Sequence, residues 1–202
     1  MDLILKFIAL ILAVVIHEFA HGYAAYLLGD PTAKRAHRLT LNPLAHLDIF
    51  GSIVLPLVLV LTNSPILLGW AKPVPFNPGY FRDPRRGIMI VGAAGPLTNF
   101  AAALVSAVIF RFAGPASALL AYFLFFFCAT NLILGIFNLI PIPPLDGSRI
   151  VIGFLPRDLA SAYLRMESFG FIIIFALLWL GVLDYVVSPI YRFLLGLLLA
   201  PG

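Results

Sequence analysis

His17-Glu18-Phe19-Ala20-His21 stands inside an apolar run that begins at Leu3. On a helix, residues four apart share one face a turn apart, so the two imidazoles can converge on one metal ion while Glu18 stands beside them. The HExxH spacing offers two neutral nitrogen ligands that suit Zn2+ and a carboxylate close enough to take a proton from a water at the metal. The bland alternative is a pair of core histidines hydrogen-bonded to backbone, with Glu18 on a helix surface. Against it stands the scarcity of such residues, since the chain has only 4 His. An ionisable cluster within a membrane span is also costly and marks function by default.

A catalytic zinc takes three protein ligands and keeps one position open. The chain after His21 reads Gly22-Tyr23-Ala24-Ala25-Tyr26-Leu27, which supplies no third histidine. Glu167, the only Glu besides Glu18, sits in a polar interfacial stretch. Asp146 is the better candidate. It follows Pro141-Ile142-Pro143-Pro144-Leu145, whose prolines release a helix and present Asp146 from an irregular turn beside Gly147.

The elements that must position these residues follow from composition. The 202 residues are 62% hydrophobic and 11% charged, with a mean hydropathy of +1.05, which places the chain among integral membrane proteins. The length allows one polytopic helical bundle, expected as a single domain over residues 1–202 with no separate soluble domain. The formal charge of +4 comes from basic residues in short loops between apolar runs, so it reports orientation in a bilayer and not a nucleic-acid partner. A lone Cys128 excludes an internal disulfide and reads as a small buried hydrophobe. The N-terminal apolar run leads without interruption into the histidine motif, so it is expected to be a retained signal anchor.

Spans are expected at about residues 3–28, 87–112, 117–140 and 168–183, with a short final helix at about 190–200 after a break over 184–189. Residues 49–62 are too few for a straight crossing and read as a re-entrant or short helix. Residues 66–76 are apolar with prolines at alternate positions, which suits a small membrane-embedded β-hairpin or edge strand. The expected fold is therefore an all-α membrane bundle with a small β insertion. The small residues from Gly92 through Ala103 mark that span as a central, closely packed helix.

Orientation rests on where the 13 Lys and Arg fall. If residues 49–62 cross fully, the split between faces is 8 to 5. If they turn back, Lys34, Arg35 and Arg38 join Lys72, Arg82, Arg85, Arg86, Arg149, Arg157 and Arg165, leaving only Lys6, Arg111 and Arg192 opposite, a split of 10 to 3. The positive-inside rule favours the second arrangement, with the N-terminus outside and Asp146 on the cytoplasmic side with the end of the first span.

Two motifs now stand in order: HExxH at His17 to His21, and NxxPxxxLDG as Asn138, Pro141, Leu145, Asp146 and Gly147. With Gly95-Pro96-Leu97-Thr98-Asn99 they give a chain that resembles the site-2 protease family of intramembrane zinc metalloproteases, in a short form without PDZ or CBS modules. The resemblance implies one Zn2+ per chain on His17, His21 and Asp146, Glu18 as general base, and Asn138 helping to hold an extended substrate. It also implies that residues 69–76 form the membrane-embedded β element of such proteases. Pro141, Trp70 and Pro73 are taken as further substrate-binding residues. The expected partners are transmembrane protein substrates and the lipid bilayer. The expected location is the plasma membrane of a prokaryotic cell, with the active site opening to the cytoplasm; substrate identity, regulators and oligomeric state stay open.

Other polar residues have simpler readings. Asn99 is expected to make an interhelical hydrogen bond, and His46 with Asp48 to form a local turn. His37 with Lys34, Arg35 and Arg38 is expected to face lipid phosphates. The competing function is a metal transporter or sensor that uses the same ligands without proteolysis. Transport would call for further polar pairs along the spans and has no need of Glu18.

Overall fold

A computed structural model of the chain describes residues 2–54, 57–58, 61–62, 71–113 and 117–199. The first helix, α1 (Asp2–Leu27), is mostly apolar and carries His17, Glu18 and His21. It stops where Gly29 takes a φ of +97°, a left-handed conformation that costs glycine nothing. A short α2 (Thr32–Arg35) follows, then a 3-10 turn (Pro43–His46) whose Asn42 side chain accepts the Leu44 N–H, then a π-helical stretch (Ile49–Val54). After residues 71–77 and a 3-10 turn (Pro78–Tyr80) come α3 (Pro84–Ala113) and α4 (Ala118–Asn138). The chain ends with α5 (Asp146–Ile152), α6 (Arg157–Arg165), α7 (Glu167–Trp179) and α8 (Val182–Leu199).

Four of these helices are long and apolar enough to cross a membrane: Leu3–Leu27, Pro84–Phe112, Ala118–Asn138 and Val182–Leu199. The pair α6 and α7, bent by 61°, could serve as a fifth span. Helix α3 is the hub and packs on α1, α4, α5 and α8. Its Ala103 and Ala107 meet Cys128 and Leu132 of α4 in a fully buried cluster, and the Phe100 ring lies against Gly135. Side chains this small let helix backbones close on one another where apolar burial alone gives no drive. The outer faces carry Phe7, Leu104, Phe112, Phe171 and Phe193, all exposed, as lipid-facing surfaces are.

Two expectations need correction. The described residues contain no strand, so the β insertion is absent from residues 71–77, while residues 63–70 lie outside the described set. The reason is that the backbone of this segment is already bonded elsewhere. The Lys72 N–H donates to the His46 carbonyl (2.9 Å), and the Lys72 carbonyl accepts from the Arg38 guanidinium (2.5 Å). Val74 N–H donates to Glu18 (2.9 Å), Asn77 N–H donates to Asp30 (2.6 Å), and Pro73 and Pro75 have no N–H to give. The Lys72, Val74 and Asn77 donors are thus taken by other partners. The second difference is at the C-terminus, where the break falls at Leu180 and Gly181 (φ +70°) and α8 then runs unbroken through Pro189. The left-handed glycine ends α7, whereas an apolar helix tolerates an internal proline.

The bond between His46 and Lys72 has a topological meaning. Whatever path residues 47–71 follow, they leave and return at one point, beside Arg38.

Candidate metal centre

The HExxH face of α1 turns inward against α3 and the start of α5. His17, His21 and Asp146 are 6%, 4% and 4% exposed. Their inward atoms form a nearly equilateral triangle. His17 Nε2 lies 3.0 Å from His21 Nε2, and Asp146 Oδ2 lies 3.0 Å and 3.1 Å from the two imidazoles. Among the described residues this is the one group of His, Cys, Asp and Glu arranged to hold a metal ion.

The outward nitrogens settle which ring atom carries the proton. His21 Nδ1 lies 2.7 Å from the Val91 carbonyl, which can only accept, so Nδ1 carries the hydrogen. His17 Nδ1 lies 2.5 Å from Asn99 Oδ1. The Asn99 amide has one orientation available, because its nitrogen donates to the Ala13 carbonyl (3.2 Å) and to Asn131 Oδ1 (2.7 Å). Asn131 is oriented in turn by donating to the Phe127 carbonyl. A chain that starts at a backbone carbonyl of α4 therefore makes Asn99 an acceptor and His17 Nδ1 a donor. Both Nε2 lone pairs then point into the triangle with the Asp146 oxygen. Three electron-pair donors 3.0–3.1 Å apart repel one another unless a cation lies between them. Ligands around a tetrahedral zinc stand about 3.3 Å apart, given bonds of about 2.0–2.1 Å. The residues present therefore fit a zinc ion in number, donor type and spacing.

Glycines make the close approach possible. A methyl group at Gly95 would sit 2.5 Å from His21 Nε2 and 2.7 Å from His17 Nε2, and one at Gly92 would sit 2.7 Å from the Cβ of Arg149. Gly92, Gly95 and Asn99 are spaced three and four apart and share one face of α3. Gly147 has the same role in the turn, where a Cβ would lie 2.2 Å from the Leu139 carbonyl oxygen. The Pro141 carbonyl accepts the Tyr163 hydroxyl, and Gly170 of α7 lies flush against Pro143, so α6 and α7 brace the turn that carries Asp146.

A metal ligand of this kind must be ionised, and a cation between the three donors would offset the cost of burying the charge of Asp146. Its other oxygen, Oδ1, accepts from Arg149 Nη1 at 3.1 Å. Glu18 is half-buried, with Oε2 held by the Val74 N–H.

The residues expected to touch substrate are spread more widely. Asn138 donates to the Leu134 carbonyl of its own helix (3.0 Å). Pro141 and Pro73 are exposed, and Trp70 lies outside the described residues. His46 donates from Nε2 to the Thr40 carbonyl, and Asp48 accepts the Gly51 N–H, so these two form local turns and not a second metal pair. Sequence reasoning missed Arg149 and the contact of Asn99 with His17. The shared face of Gly92, Gly95 and Asn99 was the available signal for the second.

Residues 112–181, which include the Asp146 turn, match the sequence model of peptidase family M50. Over 190 residues the chain is 39% identical to YwhC of Bacillus subtilis (strain 168), covering 90% of this chain and 83% of that protein. It is 30% identical over 172 residues to Rip2 of Mycolicibacterium smegmatis, covering 83% of this chain and 64% of Rip2. The names of both relatives contain the words zinc metalloprotease. The chain thus spans most of YwhC but just under two thirds of Rip2. No solved structure matches.

Proposed function

The chain belongs to peptidase family M50 and is a zinc metalloprotease, and from that premise we propose that it hydrolyses peptide bonds in or near the transmembrane segments of other membrane proteins. His17, His21 and Asp146 hold one zinc ion per chain, and Glu18 is the general base. The observation that carries this reading is the buried triangle of three electron-pair donors inside a bundle of apolar helices.

A zinc ion held there supplies a Lewis acid and lowers the pKa of water bound to it. Glu18 accepts the proton of the attacking water and returns it to the leaving amine nitrogen. The Val74 N–H fixes one oxygen of Glu18 and so sets the direction from which the other works. A helical substrate hides its carbonyls in its own hydrogen bonds and must unwind locally before one can reach the centre. We assign the exposed Pro73, next to the residue that holds Glu18, and the exposed Pro141 to the substrate path, together with Asn138 and Trp70. The contact of Arg38 and His46 with Lys72 favours the 10-to-3 distribution of basic residues, and so a centre that opens toward the cytoplasm. The bacterial relatives favour the plasma membrane of a prokaryotic cell.

A metal-carrying function would need further polar stations. The other buried polar residues of the described spans, Asn99, Ser106 and Asn131, are bonded to His17, to backbone or to each other.

The test is cleavage of a panel of tagged single-span membrane proteins in liposomes by wild type and by Glu18→Gln at equal zinc content. We expect cleavage by the wild type and none by the variant. Equal cleavage by both would remove Glu18 from the mechanism, and metal flux without cleavage would replace the protease reading.

A further inference from the structure

The two oxygens of Asp146 have different partners. Oδ2 faces both imidazoles, while Oδ1 accepts from Arg149 Nη1 at 3.1 Å. A carboxylate that gave both oxygens to a zinc ion would fill the position a catalytic site keeps open. A charge-assisted hydrogen bond on Oδ1 competes with that binding mode and is roughly twice as strong as a neutral one.

Arg149 is not a loose surface side chain. Its stem lies against Gly92, where a Cβ would meet its own Cβ at 2.7 Å and its Cδ at 3.6 Å. Its guanidinium sits over the Phe76 ring at 5.4 Å, within the range of a cation–π contact. Phe76 stacks on Phe81 at 6.1 Å and packs against the buried cluster of Ala25, Phe81 and Val91. The segment that carries Phe76 is anchored at Asn77 by Asp30 and at Lys72 by Arg38 and His46. Two residues before Phe76, Val74 holds Glu18. One short segment therefore touches both sides of the centre, the base through Val74 and the carboxylate through Phe76 and Arg149.

We propose that Arg149, braced on Phe76, is a positioning residue that keeps Asp146 a one-oxygen ligand and couples that state to the placement of residues 71–77. The proposal rests on the zinc-site reading above. A polypeptide that presses on this segment would shift the base and the third ligand together, so substrate engagement and catalytic geometry are linked through Arg149.

The test replaces zinc with cobalt(II) in the detergent-solubilised full chain, because the visible bands of cobalt are stronger when it is four-coordinate than when it is five-coordinate. Wild type, Arg149→Met, Arg149→Lys and Phe76→Leu are compared. Arg149→Met keeps the length of the stem and removes the charge. It should bind cobalt with weakened bands and lose about 10–100-fold in kcat, the range for partners of metal ligands, with KM little changed. Arg149→Lys should recover part of the band intensity, and Phe76→Leu should shift the bands in the direction of Arg149→Met by a smaller amount. Bands of wild-type strength in Arg149→Met would overturn the proposal. So would loss of all cobalt from Arg149→Met while Phe76→Leu keeps the wild-type spectrum, since Arg149 would then serve folding alone. Absence of any cobalt band in the wild type would instead overturn the metal-centre reading on which the proposal stands.

Discussion

Replacing Gly95 with alanine is the most direct test of how the centre is built. The added methyl would lie 2.5 Å from His21 Nε2, 2.6 Å from His17 Cε1 and 2.7 Å from His17 Nε2. Reaching ordinary van der Waals separation would move the ring nitrogens, or the α3 backbone, by roughly 0.7 to 0.9 Å. A functional constellation tolerates displacements of about 0.5 Å. The triangle should therefore lose its fit to a tetrahedral ion. Changing only the partners of metal ligands costs about 10–100-fold in affinity, so moving two ligands at once should cost at least about 100-fold, roughly 2.8 kcal/mol. The fold itself should survive, because alanine in a helix interior is favoured over glycine by about 1 kcal/mol. The assay is zinc affinity by competition with a chelator of known affinity, beside thermal unfolding in detergent. Gly196→Ala is the control, since a methyl there meets nothing within 4 Å. The reasoning is refuted if Gly95→Ala binds zinc as tightly as the wild type, or if Gly196→Ala loses zinc equally.

Other outcomes follow from the same geometry. Asn99→Leu removes the acceptor that fixes the proton of His17; zinc affinity should fall about 10–100-fold while the helical circular dichroism is retained. Gly147→Ala would place a methyl 2.2 Å from the Leu139 carbonyl oxygen, so the turn must open; zinc binding should fall below detection, and full retention would contradict the close approach. Asp30→Ala removes the buried carboxylate that accepts from Thr32 and Asn77. With three bonds to a charged group worth about 1.5–3 kcal/mol each, the variant should lose at least about 4.5 kcal/mol of stability and become open to proteolytic nicking within residues 71–77, read by unfolding and limited digestion.

What the sequence disclosed follows the range of the interactions involved. The pair His17 and His21 was legible because helical spacing is local, and Asp146 because prolines and a glycine isolate it in a turn. The hub position of α3 could be read from Gly92 to Ala103, since small side chains mean close neighbours whichever neighbours they are. Asn99 was half legible: an interhelical bond was expected, but its partner lies 82 positions away, and no local pattern identifies it. Residues 71–77 show the limit most plainly. Prolines at 73 and 75 announce an extended backbone, but whether it pairs with a strand depends on distant donors and acceptors, here Glu18, Asp30, Arg38 and His46. At the C-terminus the break was read at residues 184–189, whereas Gly181 with its positive φ ends the helix and the apolar surrounding tolerates Pro189. The resemblance carried the reading from residue chemistry to a family, and relatives named as zinc metalloproteases agree with that family.

The junction of Arg38, His46 and Lys72 closes the neck of a long loop. Because both ends are clamped there, strain or insertion beyond the neck has little leverage on Val74 and Glu18. The entropy of a closed loop rises only slowly with length, about 0.6 kcal/mol per doubling. A change of chain length between His46 and Lys72 should accordingly cost little energy and leave Val74 against Glu18. The clamp thus insulates the base at Glu18 from changes of length on the far side of the neck.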